Sequence, residues 1–301
     1  MKRILSIGSL NLDYVINVPK RPNVGETVSG AELDTVCGGK GGNQAIAAAR
    51  SGGSVTMIGA VGTDKAGEVL REALTRAGVE CRNLLTKPCA TGCAFITVCD
   101  GDNSIIVVRG ANGELTPDDL RDEWFEGADF VILQLEIDGD TVLSALKKAK
   151  KFGAITVLNP SPASCMRDEL LDYTDILIPN EGEAALITGI DPEGEDFERD
   201  VLIALEKRVS KAIMTLGSNG SVYLNGNDLI HVPAFPAKPV DTTGAGDTFL
   251  GALVTRLAEG ASLHEGIVFA TAASAISVTR HGAAPSIPTR EETEAFLRER
   301  T

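Results

Sequence analysis

The sequence predicts an α/β fold, with a central, mostly parallel sheet flanked by helices and a small β-sheet lid. Three observations predict it. Short apolar runs alternate with amphipathic segments along most of the chain. The 301 residues are 43% hydrophobic, enough to bury one large core. Two β-rich segments interrupt the alternation, dividing the chain into a core of residues 1–12, 36–90 and 110–301 and a lid of residues 13–35 and 91–109.

Taken in order, RILSIG reads as the first buried strand, since its apolar run is too short for a signal peptide and Asn11 and Asp13 follow it closely. GNQAIAAARSG then reads as a helix, and SVTMIGAVG as a strand. In DKAGEVLREALTRAG the residues Val69, Leu70, Ala73 and Leu74 keep a helical period, and Gly78 supplies a stop. DFVILQL, AITVLN, DILIPN and KAIMTLG continue the strands, with TVLSALKKAKKFG as a crossover helix. The two interrupting segments read as antiparallel strands, CAFITVCD-GDN-SIIVVRG being the clearer hairpin. Too short to hold a core, these strands are expected to form a sheet whose one face covers a ligand. The acidic run from Asp191 to Asp200 reads as a solvated loop and helix start.

Composition narrows the function. A formal charge of −14 disfavours nucleic acid as a partner, because such binders carry a basic face that displaces counterions. No apolar stretch is long enough for a spanning helix, so no membrane partner and a cytoplasmic location are expected. The six cysteines lack zinc-ligand spacing and read as reduced packing residues. His231, His264 and His281 form no ligand pattern.

The strongest chemical signal is Val240-Asp241-Thr242-Thr243-Gly244-Ala245-Gly246-Asp247-Thr248-Phe249, followed by the helix pattern LGALVTRLAEG. A glycine-rich turn opening into a buried helix converges backbone N–H groups on an anion, and the helix dipole adds attraction. Asp247 in that first turn can take a proton from an alcohol while the amides hold the phosphoryl group under attack. A simple capping role for an aspartate there is the plainer alternative. GxxxxGK[ST] and an early GxGxxG are both absent, and Lys40 is followed by Gly41, so a P-loop or dinucleotide fold is not indicated.

Two long motifs, Gly38-Gly39-Lys40-Gly41-Gly42-Asn43-Gln44-Ala45 and Asp241 to Phe249, resemble the two signatures of the ribokinase family of carbohydrate kinases. GSLNLD, GETVSG, RGANGEL, QLE, LNPSPA, PNEGEA, TLGSNG and VTRHGAAPS resemble the same family, so the likeness covers essentially the whole chain. The resemblance implies ATP-dependent phosphorylation of D-ribose at its primary 5-hydroxyl, giving ribose 5-phosphate and ADP. It implies Asp247 as base and Gly244, Ala245 and Gly246 as the anion hole. For the sugar it implies Asn11, Asp13, Gly39, Lys40, Asn43 and Glu136, besides Asp247 itself. For ATP it implies Thr215, Leu216, Gly217, Ser218, Asn219, Gly220, Gly246 and Thr271, with Asn180 and Glu183 organising hydrated Mg²⁺. A monovalent cation, K⁺ in most members, is implied at Asp241, Thr243, Ser277, Arg280, Gly282 and Ser286. A homodimer paired through the lid is implied as well.

Two departures, Gly42 where many members have Ala and Thr271 where some have His, bear on helix entry and adenine contacts without removing a reacting group. The other readings are a kinase for 2-deoxyribose, fructose or a nucleoside, and, from another class, a sugar-binding module without catalysis.

Overall fold

Strand Phe130–Leu133 is apolar at all four positions, so it needs cover on both faces. Phe130 and Ile132 enter one core with Ile4, Met57, Leu250 and Leu253, while Val131 and Leu133 enter a second with Leu5, Ile7, Leu146 and Val201. The result is a sheet between two helical layers. It is seen in a computed structural model that describes residues 2–99 and 102–300.

The elements are β1 (Arg3–Ile7), β2 (Asn11–Asn17), β3 (Glu32–Gly38), α1 (Lys40–Arg50), β4 (Ser54–Gly62), α2 (Lys65–Arg76), β5 (Leu84–Lys87), β6 (Gly92–Cys99) and β7 (Asp102–Val108). After them come β8 (Phe130–Leu133), α3 (Gly139–Lys151), β9 (Ile155–Leu158), β10 (Ile176–Leu177), α4 (Glu181–Thr188), α5 (Phe197–Leu205), β11 (Lys211–Thr215), β12 (Ser221–Asn225) and β13 (Asp228–Val232). The chain closes with α6 (Ala245–Glu259), α7 (Leu263–Ser277) and α8 (Arg290–Arg298). Among the described residues the large sheet runs β13-β12-β11-β10-β9-β8-β1-β4-β5 and is parallel except for β12 and β13.

Local chemistry sets the ends. Asp64 caps α2 by accepting from Gly67 N–H (3.1 Å), and Gly78 follows with φ of 86°. α7 and the β12–β13 hairpin are additions to the sequence reading. Most of α7 is buried, including Ile267, Phe269, Ala270, Ala273 and Ile276, and a helix covered nearly all round shows no amphipathic period.

The small sheet runs β3-β2-β6-β7. Its two hairpins are antiparallel, as expected, but they join through a parallel β2–β6 pair. Four elements intervene between β3 and β6, so β6 returns beside β2 in the same direction. Of the turn expected at Gly101-Asp102-Asn103, Gly101 lies outside the described residues, while Asp102 and Asn103 already belong to β7, paired with Cys99 and Val98. Asn11 and Asp13, two apart on β2, share one face of this sheet, and Tyr14 stacks on Phe95 (5.3 Å between centroids) on the other.

Candidate active site

α6 starts from Gly244, whose φ of 76° is a left-handed conformation that a side chain would strain. No side chain caps this end, and a helix start leaves its first N–H groups without intrahelical acceptors. Ala245 N–H closes a turn onto Thr242 O at 3.2 Å, so an anion there competes with an internal bond. Asp247, in the first turn, is buried. Its Oδ2 accepts from Asn43 Nδ2 (3.0 Å) and its Oδ1 from Gln44 Nε2 (2.8 Å), so α1 supplies both donors. Burial pushes the Asp247 carboxyl up, against the opposing pull of Lys40, Asn43 and Gln44. A base poised above the usual carboxylate range is suited to taking an alcohol proton.

Lys40, at the start of α1, faces the same carboxylate. Burial pulls its ammonium down, but Asp247, Glu136 and Glu183 outweigh this and hold it above the ordinary lysine value. Glu136 Oε2 accepts from the Ser9 hydroxyl and from Lys40 N–H (3.0 Å), which fixes that carboxylate beside the α1 N-terminus. Gly39 is the residue from which α1 springs, immediately behind Asn11. Asp13 is pushed up to about 7 by burial and by the neighbouring Glu136.

Asp13 Oδ1 and Asn43 Oδ1 are buried acceptors with no partner among the described residues. Such groups are costly unless something donates to them, and hydroxyls of a polyol would. Asn11 is turned by Asn112, whose amide closes on Leu10 N–H (2.9 Å) and Leu10 O (3.0 Å) and donates to Asn11 Oδ1 (2.8 Å). With its oxygen occupied, Asn11 presents its Nδ2 donors.

A cavity of about 230 Å³ is lined by Lys40, Asn180, Glu183, Gly244, Gly246 and Asp247, among others. A second, of about 640 Å³, shares Asn180, Thr215, Thr242, Ala245 and Gly246 with it and extends between the 234–239 segment and α7. Thr215, Gly217, Ser218, Gly220 and Thr271 line this larger space. Leu216 does not, being buried in the core, and Asn219 faces a neighbouring surface depression where its carbonyl meets His231 Nε2 (2.7 Å). Asn180 and Glu183 bond reciprocally as a capping box at the start of α4 (2.8 and 3.0 Å).

Asp241 straps two loops together. Its Oδ1 accepts from Thr243 N–H and its Oδ2 from Gly282 N–H, both at 2.9 Å. Burial pushes this carboxyl up, but those bonds outweigh it and hold it below the ordinary value, so it is an anion at neutral pH. The Ser277 and Ser286 hydroxyls donate to Ser274 O (2.9 Å) and Ala283 O (2.7 Å), and Arg280 pairs with Glu292 (2.6 Å). Arg280 therefore offers this region its backbone and not its charge.

Sequence reasoning missed Ser9, Gln44, Asn112 and Gln134 as site supports, and Ala234 to Pro239 as a cavity wall. All four stood within quoted motifs, but their partners are remote in sequence. The wall is an apolar, proline-rich stretch with no period to mark it.

The sequence matches the family described as "pfkB family carbohydrate kinase" over residues 1–290. It is 40% identical to the ribokinase of Bacillus subtilis (strain 168), over 99% of this chain and 100% of that protein. The crystal structure of ribokinase from Thermotoga maritima superposes with a TM-score of 0.89 at 36% identity, covering 99% of each chain. The structure of Arabidopsis thaliana ribokinase complexed with ribose and ATP gives 0.90 at 34% identity, covering 99% of this chain and 98% of that one.

Proposed function

The chain belongs to the pfkB family of carbohydrate kinases, and from that premise we propose that it transfers the γ-phosphoryl group of ATP to the primary 5-hydroxyl of D-ribose, releasing ribose 5-phosphate and ADP. The observation that carries the reading is the meeting of Lys40, Asp247 and the Gly244–Gly246 turn in one small cavity that adjoins a larger one. The sugar is carried over from the ribokinase relatives and from the ribose in the Arabidopsis complex.

In this mechanism Asp247 takes the proton of the 5-hydroxyl as that oxygen bonds to the γ-phosphorus and the bond to the β-phosphate bridging oxygen breaks. N–H groups of Gly244, Ala245 and Gly246 stabilise the charge on the transferring group. Lys40 adds a fixed cation on the sugar side. Asn11, Asp13, Gly39, Asn43 and Glu136 hold the sugar hydroxyls, supported by the unpartnered acceptors on Asp13 and Asn43. Thr215, Gly217, Ser218, Gly220 and Thr271 hold ATP, while Leu216 and Asn219 support that wall from outside the cavity.

The residues fit two cations. Among the described residues no cluster of three or more His, Cys, Asp or Glu side chains is placed to hold a metal. Mg²⁺ would be held near Asn180 and Glu183 and otherwise by water and phosphate, as a cation that keeps much of its hydration allows. When bound, it offsets phosphate charge. The anionic Asp241 and the backbone of Thr243, Ser277, Arg280, Gly282 and Ser286 would hold K⁺, which would brace the turn from behind. Residues 13–35 and 91–109 act as the lid, two lids pair in a homodimer, and the enzyme works in the cytoplasm, a reading supported by the absence among the described residues of any helix long and apolar enough to cross a membrane.

The test is ADP release with ATP and Mg²⁺ across ribose, 2-deoxyribose, fructose and ribonucleosides, with and without K⁺. Ribose is expected to give the highest kcat/KM. Asp247→Asn is expected to lower kcat by at least about 10²–10⁴-fold while remaining folded. A higher kcat/KM for another acceptor would reassign the substrate, and substantial turnover by Asp247→Asn would remove the base.

A further inference from the structure

Next to Asp247, and lining neither cavity, lies a chain of buried amides. Gln44 of α1 donates through Nε2 to Asp247 Oδ1 (2.8 Å), and Gln134, just past β8, donates through Nε2 to Gln44 Oε1 (2.6 Å). Both glutamines are fully buried, at 0% exposure. An ionised carboxylate only accepts, so Gln44 must present its amide nitrogen to Asp247 and its oxygen to Gln134. Gln134 must then present nitrogen in turn, and the polarity of the whole chain is forced from the carboxylate end.

Its far end shows what that polarity costs. Gln134 Oε1 is buried without a partner among the described residues, lying over Gly8 where a Cβ would come within 1.8 Å of it. A pair selected for packing alone has no reason to strand an acceptor against bare backbone. We infer that Gln44 and Gln134 are positioning residues that hold Asp247 as an oriented, ionised carboxylate ready to accept the sugar proton, Gln44 directly and Gln134 by fixing the Gln44 amide. The inference rests on the reading of Asp247 as the base.

The other groups facing this carboxylate are Lys40 and Asn43 of α1 and Glu136 after β8, while α7 meets the turn through the neutral Ser274 hydroxyl, which donates to Ala245 O (2.9 Å). Farther out, Glu183 of α4 acts on Lys40 and Asp13 of β2 is coupled to Glu136. A donor to the charged form lowers a carboxyl pKa, so removing it moves the acidic limb of kcat to higher pH. At saturating ribose, kcat reports groups in the bound complex, which separates Asp247 from the sugar-binding Asp13.

The experiment is the pH profile of kcat and of ribose KM for Gln44→Met, Gln134→Met and the double variant, with thermal melting alongside. Gln44→Met is expected to raise the acidic limb by about one pH unit, a tenfold change in ionisation, with ribose KM changed less than about threefold. Gln134→Met is expected to move the limb the same way by less, and to add nothing in the Gln44→Met background, because it acts through Gln44. If Gln44→Met does not fold, the limb in Gln134→Met decides alone. A limb that stays while kcat falls with the melting temperature would show a packing role and overturn the inference, as would a rise in KM alone. Full activity in Asp247→Asn would instead remove the base reading, an outcome separable from both.

Discussion

Asp13 combines two properties that together set a pH dependence. Its carboxyl is pushed up to about 7 by burial and by Glu136, and its Oδ1 is a buried acceptor awaiting a donor. Because the value is raised, the group is neutral below about pH 7 and only above it can it accept fully from two sugar hydroxyls. The expected result is a kcat/KM for ribose that falls as pH drops through 7, with a weaker effect on kcat, since bound hydroxyls favour the ionised form. Asp13→Asn should lose that limb and raise ribose KM about 10–100-fold, the equivalent of a charged hydrogen bond of roughly 1.5–3 kcal/mol. An unchanged limb in this variant's kcat/KM would assign the titration elsewhere. The sequence made Asp13 legible only through the resemblance to the ribokinase family, and the shared face that joins it to Asn11 appears only once both are seen on β2. It left Gln44 and Gln134 illegible because a buried amide reads as packing until its partner, 90 positions away, is seen.

At the scale of elements, the site depends on how closely α1 and α6 approach, since one carries the amides and the other the carboxylate. Gly251, one turn beyond Asp247, sets that distance: a Cβ there would lie 2.5 Å from Ala47 Cβ and 2.6 Å from Ala48 N and Gln44 O. Thr255 then ties the two helices by donating to Ala48 O (3.0 Å). Ala for Gly inside a helix ordinarily stabilises by roughly 0.5–1 kcal/mol. Here the obstructing atoms are largely backbone, and overpacking that moves a helix costs about 1–3 kcal/mol, so the clash wins. Gly251→Ala is therefore expected to lower the melting temperature and to lower kcat more than it changes ribose KM, measured by thermal melting and steady-state kinetics. Retained stability with normal kcat would show that the helices have slack. One-sided burial made α2 legible as a helical period, whereas α1 and α6, buried over most of their length, were legible from the glycine-rich turns that open them. The parallel β2–β6 junction was not, because direction between remote strands depends on everything folded between them, and α7 was not, because most of it is buried.

The whole molecule poses an electrostatic and a surface problem. A chain of net charge −14 that takes a polyanionic co-substrate needs local attraction, supplied on this reading by a helix N-terminus, Lys40 and bound cations against a repelling background. The same net charge repels a second copy, yet the lid exposes apolar area that a lone molecule would leave in water. Ile105, Ile106, Val107 and Val108 are 53%, 69%, 59% and 46% exposed in succession along β7, which forms an edge of the small sheet, and Leu33 on the opposite edge strand is 61% exposed. Consecutive residues on a strand point to opposite faces, so β7 is uncovered on both faces as well as along its edge. Edges of this kind are normally blunted by charge or proline or covered by another chain. On the proposed reading a second lid is that cover, and burying four such side chains is worth several kcal/mol at about 25 cal/mol per Å² of apolar surface, enough to oppose screened repulsion at moderate salt. The protein is expected to run as a dimer by light scattering and Ile106→Asp as a monomer. Because the other face of the same sheet carries Asn11 and Asp13, the variant should also bind ribose more weakly while the kcat reached at saturation changes less. A wild-type monomer at assay concentration would leave the lid to close over the sugar by itself, and an Ile106→Asp dimer would move the interface off the lid.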